Sequence, residues 1–120
     1  MEGDYLVTNL FRVPAEKEAA ILRVLDEAAV VVNECGAAAC EVFALADAPT
    51  KYGCRPLGEA FGAGAGERVC LEIMRFRDRA HCDEVMAKLD ADPRIGPLYE
   101  RLTALIDIAT VARGELERRI

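Results

Sequence analysis

The sequence predicts an α+β fold of the ferredoxin-like kind: a split βαβ repeat with a four-stranded antiparallel sheet and two long helices on one face. Three observations lead there. Strand-like runs and two amphipathic helical stretches follow one another as strand–helix–strand, a long loop, then strand–helix–short helix–strand. The first and third strand-like runs are apolar on both alternating faces, so each face needs a cover. The chain has 120 residues, enough for one hydrophobic core and too few for two, so residues 1–120 are expected to form a single domain.

Residues 5–13 (Tyr-Leu-Val-Thr-Asn-Leu-Phe-Arg-Val) are rich in β-branched and aromatic side chains and stop at Pro14. Alternation places Tyr5, Val7, Asn9 and Phe11 on one face and Leu6, Thr8, Leu10 and Arg12 on the other. Pro14 suits a first helical position and Gly36 a position just past a helix end, which brackets a helix over 14–35. Its apolar stripe is Ile21, Leu25, Ala28, Val32 and Cys35, with Glu16, Arg23, Glu27 and Glu34 opposite. The run Val30, Val31, Val32 favours strand locally and leaves a shorter helix open.

Residues 37–46 hold a second strand with Glu41, Phe43 and Leu45 on one face. Residues 47–67 turn to proline, glycine and polar side chains, a length expected of a functional lid or a disordered flap. Gly62, Gly64 and Gly66 have the spacing of a phosphate-cradling loop, but they precede a strand instead of following one, so they are read as flexibility.

Residues 68–76 form the third strand, with Val69, Leu71, Ile73 and Arg75 on one face and Cys70, Glu72, Met74 and Phe76 on the other. Asp78 then caps a helix whose stripe is Cys82, Val85, Met86 and Leu89 and which ends at Pro93. A short helix over 95–105 turns Leu98, Leu102 and Leu105 inward. Residues 110–120 alternate again, apolar on one side and charged on the other, a pattern that protects a sheet edge. With both long helices on one side of the sheet, its other side stays bare. A two-fold homodimer, two sheets closing into a dimeric α/β barrel, covers it and leaves a cavity in each subunit lined by sheet residues and roofed by loops.

Hydrophobic residues make up 52% and charged residues 30%, the balance of a globular chain. No stretch approaches the ~20 apolar residues that span a bilayer. The acidic start, Met-Glu-Gly-Asp-Tyr, lacks the basic region of a signal peptide, so a cytoplasmic address and no membrane partner are expected. Five cysteines, an odd number with no Cys-x-x-Cys pair, read as reduced thiols. A net charge of −6 opposes nucleic-acid binding. No nucleotide loop, metal cluster or nucleophile–base pair stands out, so no cofactor and no metal are expected.

Residues 77–94, above all Asp78-Arg79-Ala80-His81 and Ala87-Lys88-Leu89-Asp90-Ala91-Asp92-Pro93-Arg94, resemble the YbaA-like family of uncharacterised bacterial proteins. Val13-Pro14, Glu34-Cys35-Gly36-Ala37 and Ala112-Arg113-Gly114-Glu115 fall in matching order. The resemblance implies the dimeric α/β-barrel superfamily, which includes cofactor-free monooxygenases, small-ligand isomerases and haem-degrading enzymes, and it brings no established activity. Val7-Thr8 and Glu72-Ile73 stand where that family has Asp-Gly and Ser-Trp, and its Thr-Ser-Phe-Pro loop segment has no counterpart near residues 51–61. These departures imply a different ligand.

Glu72 is the leading catalytic candidate, because it shares a strand face with Cys70, Met74 and Phe76 and desolvation there raises a carboxyl pKa. The competing reading pairs it with an arginine at a subunit interface or turns it to solvent. His81, the single histidine, lies in the first turn of a helix, where a neutral imidazole serves either as a base or as a local tie at the strand-to-helix corner. Ligand-binding candidates are Tyr5, Asn9 and Met74 on the sheet, with Thr8 beside them, and Lys51, Tyr52 and Arg55 on the loop, placed to cap an anionic ligand. Arg79, Asp92 and Arg94 read as a capping and ion-pair corner. The function expected is small-molecule binding, or an accessory role, by a homodimer with an apolar cavity. The alternative is a cofactor-independent monooxygenase or isomerase acting on a small aromatic or polyketide-like substrate.

Overall fold

The computed structural model describes residues 3–120. Strands β1 (Tyr5–Pro14), β2 (Ala39–Ala44), β3 (Glu67–Phe76) and β4 (Ala112–Glu117) form one antiparallel sheet in the order β2-β3-β1-β4. Helices α1 (Glu18–Glu34), α2 (Leu57–Ala60), α3 (Arg79–Ala91) and α4 (Ile95–Thr103) complete the fold, with 3-10 turns at Ala15–Lys17 and Ile108–Thr110. This is the α+β, ferredoxin-like arrangement that the element order predicts. No helix among the described residues is long and apolar enough to cross a membrane.

The central strands β1 and β3 pair over their whole length, from Tyr5 opposite Phe76 to Pro14 opposite Glu67. Directly opposed residues of an antiparallel pair share a face, so Val7, Phe11 and Val13 join Cys70, Met74 and Phe76 under the helices, and all six are buried. α1 adds Ile21, Val24, Leu25, Val31 and Val32, and α3 adds Cys82, Val85 and Leu89. Burying a side chain the size of Phe76 contributes roughly 2–3 kcal/mol. This side of the sheet holds the core.

Three expectations are corrected. Pro14 does not open the first helix; it ends β1, and a 3-10 turn intervenes before α1 begins at Glu18. Proline fixes φ and leaves ψ free, and here ψ is 131°, an extended value. The loop between β2 and β3 is neither a flap nor a lid over the interior. It folds into α2 and packs on the outer side of the sheet, where the site of a Cβ on Gly58 lies 3.4 Å from Leu45 and 3.8 Å from Val69. Arg12, from the outer face of β1, donates to the Gly62 carbonyl at 3.1 Å and sits against the Phe61 ring. Gly62 and Gly66 serve this turn rather than supplying flexibility, with φ of +84° and +80°, where glycine fits without strain.

The helix ends behave as expected. Gly36 follows α1 with φ +114°, and Asp78 caps α3 by accepting the His81 N–H at 2.8 Å. At the corner between α3 and α4, Arg94 pairs with Asp92 at 2.9 Å and with Glu34 of α1 at 2.5 Å. The Arg94 guanidinium holds the Asp92 carboxyl down at about 2. All five cysteines are free thiols.

Candidate functional site

Sheet register sets one row across the helix-facing side, polar in three of its four positions: Val42 on β2, then Glu72 on β3, Asn9 on β1 and Arg113 on β4. Alternation groups Asn9 with Phe11 and Glu72 with Met74 without saying which face is inward; the helices cover that face, and pairing sets Asn9 and Glu72 directly opposite each other. The Asn9 Nδ2 group donates to Glu72 Oε1 at 2.9 Å. The Cys40 thiol approaches Oε2 at 4.0 Å, a weak contact. Glu72 is 5% exposed and, with His81, is one of the buried polar or charged residues among the described residues.

Above this pair lies a cavity of about 180 Å³. Its walls are Phe11 and Met74 from the sheet, Val24, Leu25, Ala28 and Val32 from α1, Leu89 from α3, and Ile95, Leu98, Tyr99 and Leu102 from α4, with Ile108 and Val111 beyond. Among the described lining residues the polar ones are Asn9, Glu72 and Tyr99, and none is lysine or arginine. The expected roof of loops is therefore a roof of helices.

Burial pushes the Glu72 carboxyl above the ordinary glutamate value, and the hydrogen bond from Asn9 partly opposes this. Burial, then the nearby Glu72 and Glu41 carboxylates, pushes the Cys40 thiol up to about 12, so Cys40 is a protonated neighbour rather than a nucleophile. The arrangement offers an apolar body pocket with one titratable group at its floor. Chemically it can hold a small molecule by one polar atom and exchange a proton with it.

The remaining candidates divide clearly. Met74 lines the cavity. His81 is buried at 7% exposure but does not face the cavity: the Arg77 N–H donates to its Nδ1 at 3.1 Å, and its Nε2 lies 2.8 Å from the Gly36 carbonyl, which fixes a proton on Nε2. Its ring meets Phe76 edge-on at 5.7 Å. With both nitrogens engaged, it ties the strand-to-helix corner to the end of α1. Tyr5 shares the face of Asn9, but its hydroxyl donates to Glu115 Oε1 at 2.6 Å, near the β4 edge and away from the cavity lining. That bond, with burial, raises the tyrosine to about 12. Thr8 faces the outer side, toward the Gly114 carbonyl at 3.4 Å. Lys51, Tyr52 and Arg55 are exposed on the loop, do not line the cavity and are not brought near Glu72, because the loop packs on the opposite side of the sheet. Among the described residues no group of three or more His, Cys, Asp or Glu is placed to hold a metal ion.

Sequence reasoning turned Leu98 and Leu102 of this short helix inward but missed that the helix walls the cavity, with Tyr99 in its lining, and missed the nearness of Cys40 to Glu72. The spacing of Ile95, Leu98, Tyr99 and Leu102 (i, i+3, i+4, i+7) carries the first signal, since it extends the inward stripe to Tyr99. Cys40 becomes legible only once β2 is registered against Met74.

Fold and cavity together define an α+β protein of ferredoxin-like topology with a small interior pocket between sheet and helices. Residues 4–103 match the family described as Protein of unknown function (DUF1428), and the chain belongs to that family. Among solved structures it is similar to SnoaB, a cofactor-independent oxygenase from Streptomyces nogalater, with a TM-score of 0.58 and 17% identity over 99% of this chain and 94% of that one. It is also similar to a de novo designed protein, Foldit4, with a TM-score of 0.49 and 16% identity over 99% of this chain and 100% of that one. No curated protein matches the sequence.

Proposed function

We propose that this protein is a homodimeric small-molecule-binding protein whose ligand occupies the cavity above Asn9 and Glu72. One observation carries the reading: a hydrogen-bonded carboxyl–amide pair forms the floor of a cavity whose walls are otherwise almost wholly apolar. Ligand sites have this composition, an apolar surround with a few convergent polar groups. The dimer rests on the uncovered side of the sheet, where Leu6, Leu10, Leu71 and Ile73 are flanked by the exposed Phe43, Leu45 and Leu116. A second copy of the same sheet is the self-complementary cover for such a face. Five free thiols fit a cytoplasmic setting. The 79–94 block, which builds α3 and the Asp92–Arg94 corner, supports placing the chain with YbaA-like relatives.

A second reading, a cofactor-independent oxygenase or isomerase, is favoured by Glu72 lying at the cavity floor with its carboxyl pKa raised by burial, the direction that strengthens a carboxylate as a base. In that case Glu72 would take a proton from the bound molecule. SnoaB, named as a cofactor-independent oxygenase, lends that reading a precedent on the same fold.

Native mass spectrometry of the freshly purified protein, followed by thermal melting with small ring compounds, tests the leading reading. It expects a two-chain mass and a saturable rise in melting temperature, and it expects Leu102→Trp, which fills the cavity, to abolish that rise. A single-chain mass overturns the dimer, and a Leu102→Trp variant that keeps the rise overturns the cavity as the site. Turnover of a bound compound that disappears in Glu72→Gln, with binding retained, decides for the second reading.

A further inference from the structure

The chemistry of the cavity narrows what fills it. Both recorded partners of the Glu72 carboxyl are donors, the Asn9 amide at 2.9 Å and the Cys40 thiol at 4.0 Å. A protonated carboxyl also has one O–H to donate, and among the described residues no acceptor is recorded for it. A buried donor left without an acceptor is destabilising, and the open side of this group is the cavity. Burial favours the protonated form, which makes the missing acceptor matter over a wider range of pH.

Charge narrows the choice further. None of the described lining residues is lysine or arginine, so an anion would sit beside a carboxyl group with no counter-charge. A permanent cation would have to give up water against almost wholly apolar walls. Size narrows it last. Common ligand pockets run to roughly 300–1,000 Å³, and an apolar cavity of about 150 Å³ holds benzene. At about 180 Å³ this one admits a single ring with little more.

We infer that the cavity selects a neutral single-ring compound that presents a hydrogen-bond acceptor, a ring nitrogen or carbonyl oxygen, to the Glu72 carboxyl. This rests on the small-molecule-binding reading and specifies its ligand class. Asn9 orients the carboxyl by holding Oε1, and the walls from α1 and α4 enclose the ring. A ring nitrogen satisfies Glu72 whichever atom holds the proton, since the pair then carries one proton and no net charge.

The test measures binding of pyridine, benzene and benzoate to the wild-type protein and to Glu72→Met, which removes the O–H and keeps the volume. Pyridine is expected to bind the wild type about tenfold tighter than benzene, the effect of one buried hydrogen bond. The preference should vanish in Glu72→Met, and benzoate should not bind. Equal binding of pyridine and benzene to the wild type, or tighter binding of benzoate, overturns the ligand class while leaving the cavity as a site. Failure of both neutral rings to bind overturns the cavity reading and this inference with it. Should Glu72→Met fail to fold, carboxyl-labelled wild-type protein gives the answer without a variant. The Glu72 carboxyl carbon resonance should shift with pyridine and stay put with benzene, and the opposite result overturns the inference.

Discussion

The helix-facing side of the sheet and its outer side start from equally apolar alternations and end in different states. On the inner side Val7, Phe11, Cys70 and Phe76 are sealed under α1 and α3. On the outer side only one end is covered, where α2 and the Arg12–Gly62 contact close over Val69. The rest of that face keeps Leu6, Leu10, Leu71 and Ile73 half-buried, with Phe43 48% and Leu116 52% exposed. β4 sharpens the contrast. Its charged residues Arg113, Glu115 and Glu117 oppose Asn9, Val7 and Tyr5 on the helix side, while Ala112, Gly114 and Leu116 oppose Leu10, Thr8 and Leu6 on the bare side. An edge strand whose outer side met only water would carry its charges there. The two faces differ in what covers them and not in their alternation, and the apolar residues left on the outer face are the reason for proposing a second copy there.

The largest expected effect comes from putting the same charge on each face in turn. Met74→Glu buries a carboxylate among Val7, Val32 and Phe76 and is expected to cost about 4 kcal/mol or more, enough to leave no folded chain by circular dichroism. Leu71→Glu, three residues away and on the other face, is expected to give a folded, soluble single copy in sedimentation. If both variants remain folded and two-copy, the contrast between the faces is broken. A middle-sized effect is expected from His81→Ala, which leaves the Gly36 carbonyl and the Arg77 N–H without partners. Urea unfolding should show a loss of roughly 1–3 kcal/mol, with ligand binding unchanged because His81 lies outside the cavity.

Glu72→Gln tests the inner face by pH. With its pKa raised in the folded chain, Glu72 holds its proton more tightly when native than when unfolded. Its contribution to stability is therefore complete below the ordinary value of about 4.5 and is lost as pH rises through the folded value. Across that window wild-type stability should fall relative to Glu72→Gln, whose amide does not titrate. Of the neighbours facing it, Asn9 does not titrate and Cys40 keeps its proton up to about 12, so the slope belongs to Glu72. A stability difference that stays flat with pH would show that the carboxyl is not desolvated. The smallest effect is expected from Arg101→Ala on the exposed helix surface. Its 2.6 Å pair with Glu27 is roughly half exposed on both sides, and removing it should cost no more than about 1 kcal/mol, less at high salt.

Much of this was legible in the chain. Period-two alternation separated Asn9 and Glu72 from Leu10 and Leu71, and spacings of four and three found Ile21, Leu25 and Val32, because burial on one face leaves a direct mark on sequence. The Asp78 cap and Gly36 were legible because few residue types do those jobs. The register that sets Asn9 against Glu72 was not, since it arises from pairing two strands more than sixty positions apart. Nor was the side on which the 47–67 loop settles, because glycines report permitted backbone angles and not packing partners. Lys51, Tyr52 and Arg55 were drawn toward a cavity by their chemistry and left outside it by that packing.

The strand order has one more consequence. In β2-β3-β1-β4 every hydrogen-bonded neighbour comes from opposite sides of the 47–66 loop: β1 and β2 touch only β3 or β4, and never each other. A nick at the exposed stretch around Tyr52 would thus yield two pieces held together by the whole sheet, neither able to make a ladder by itself. A chain emerging from the ribosome faces the same rule. Its first two strands have no partner until residues 67–76 follow them out.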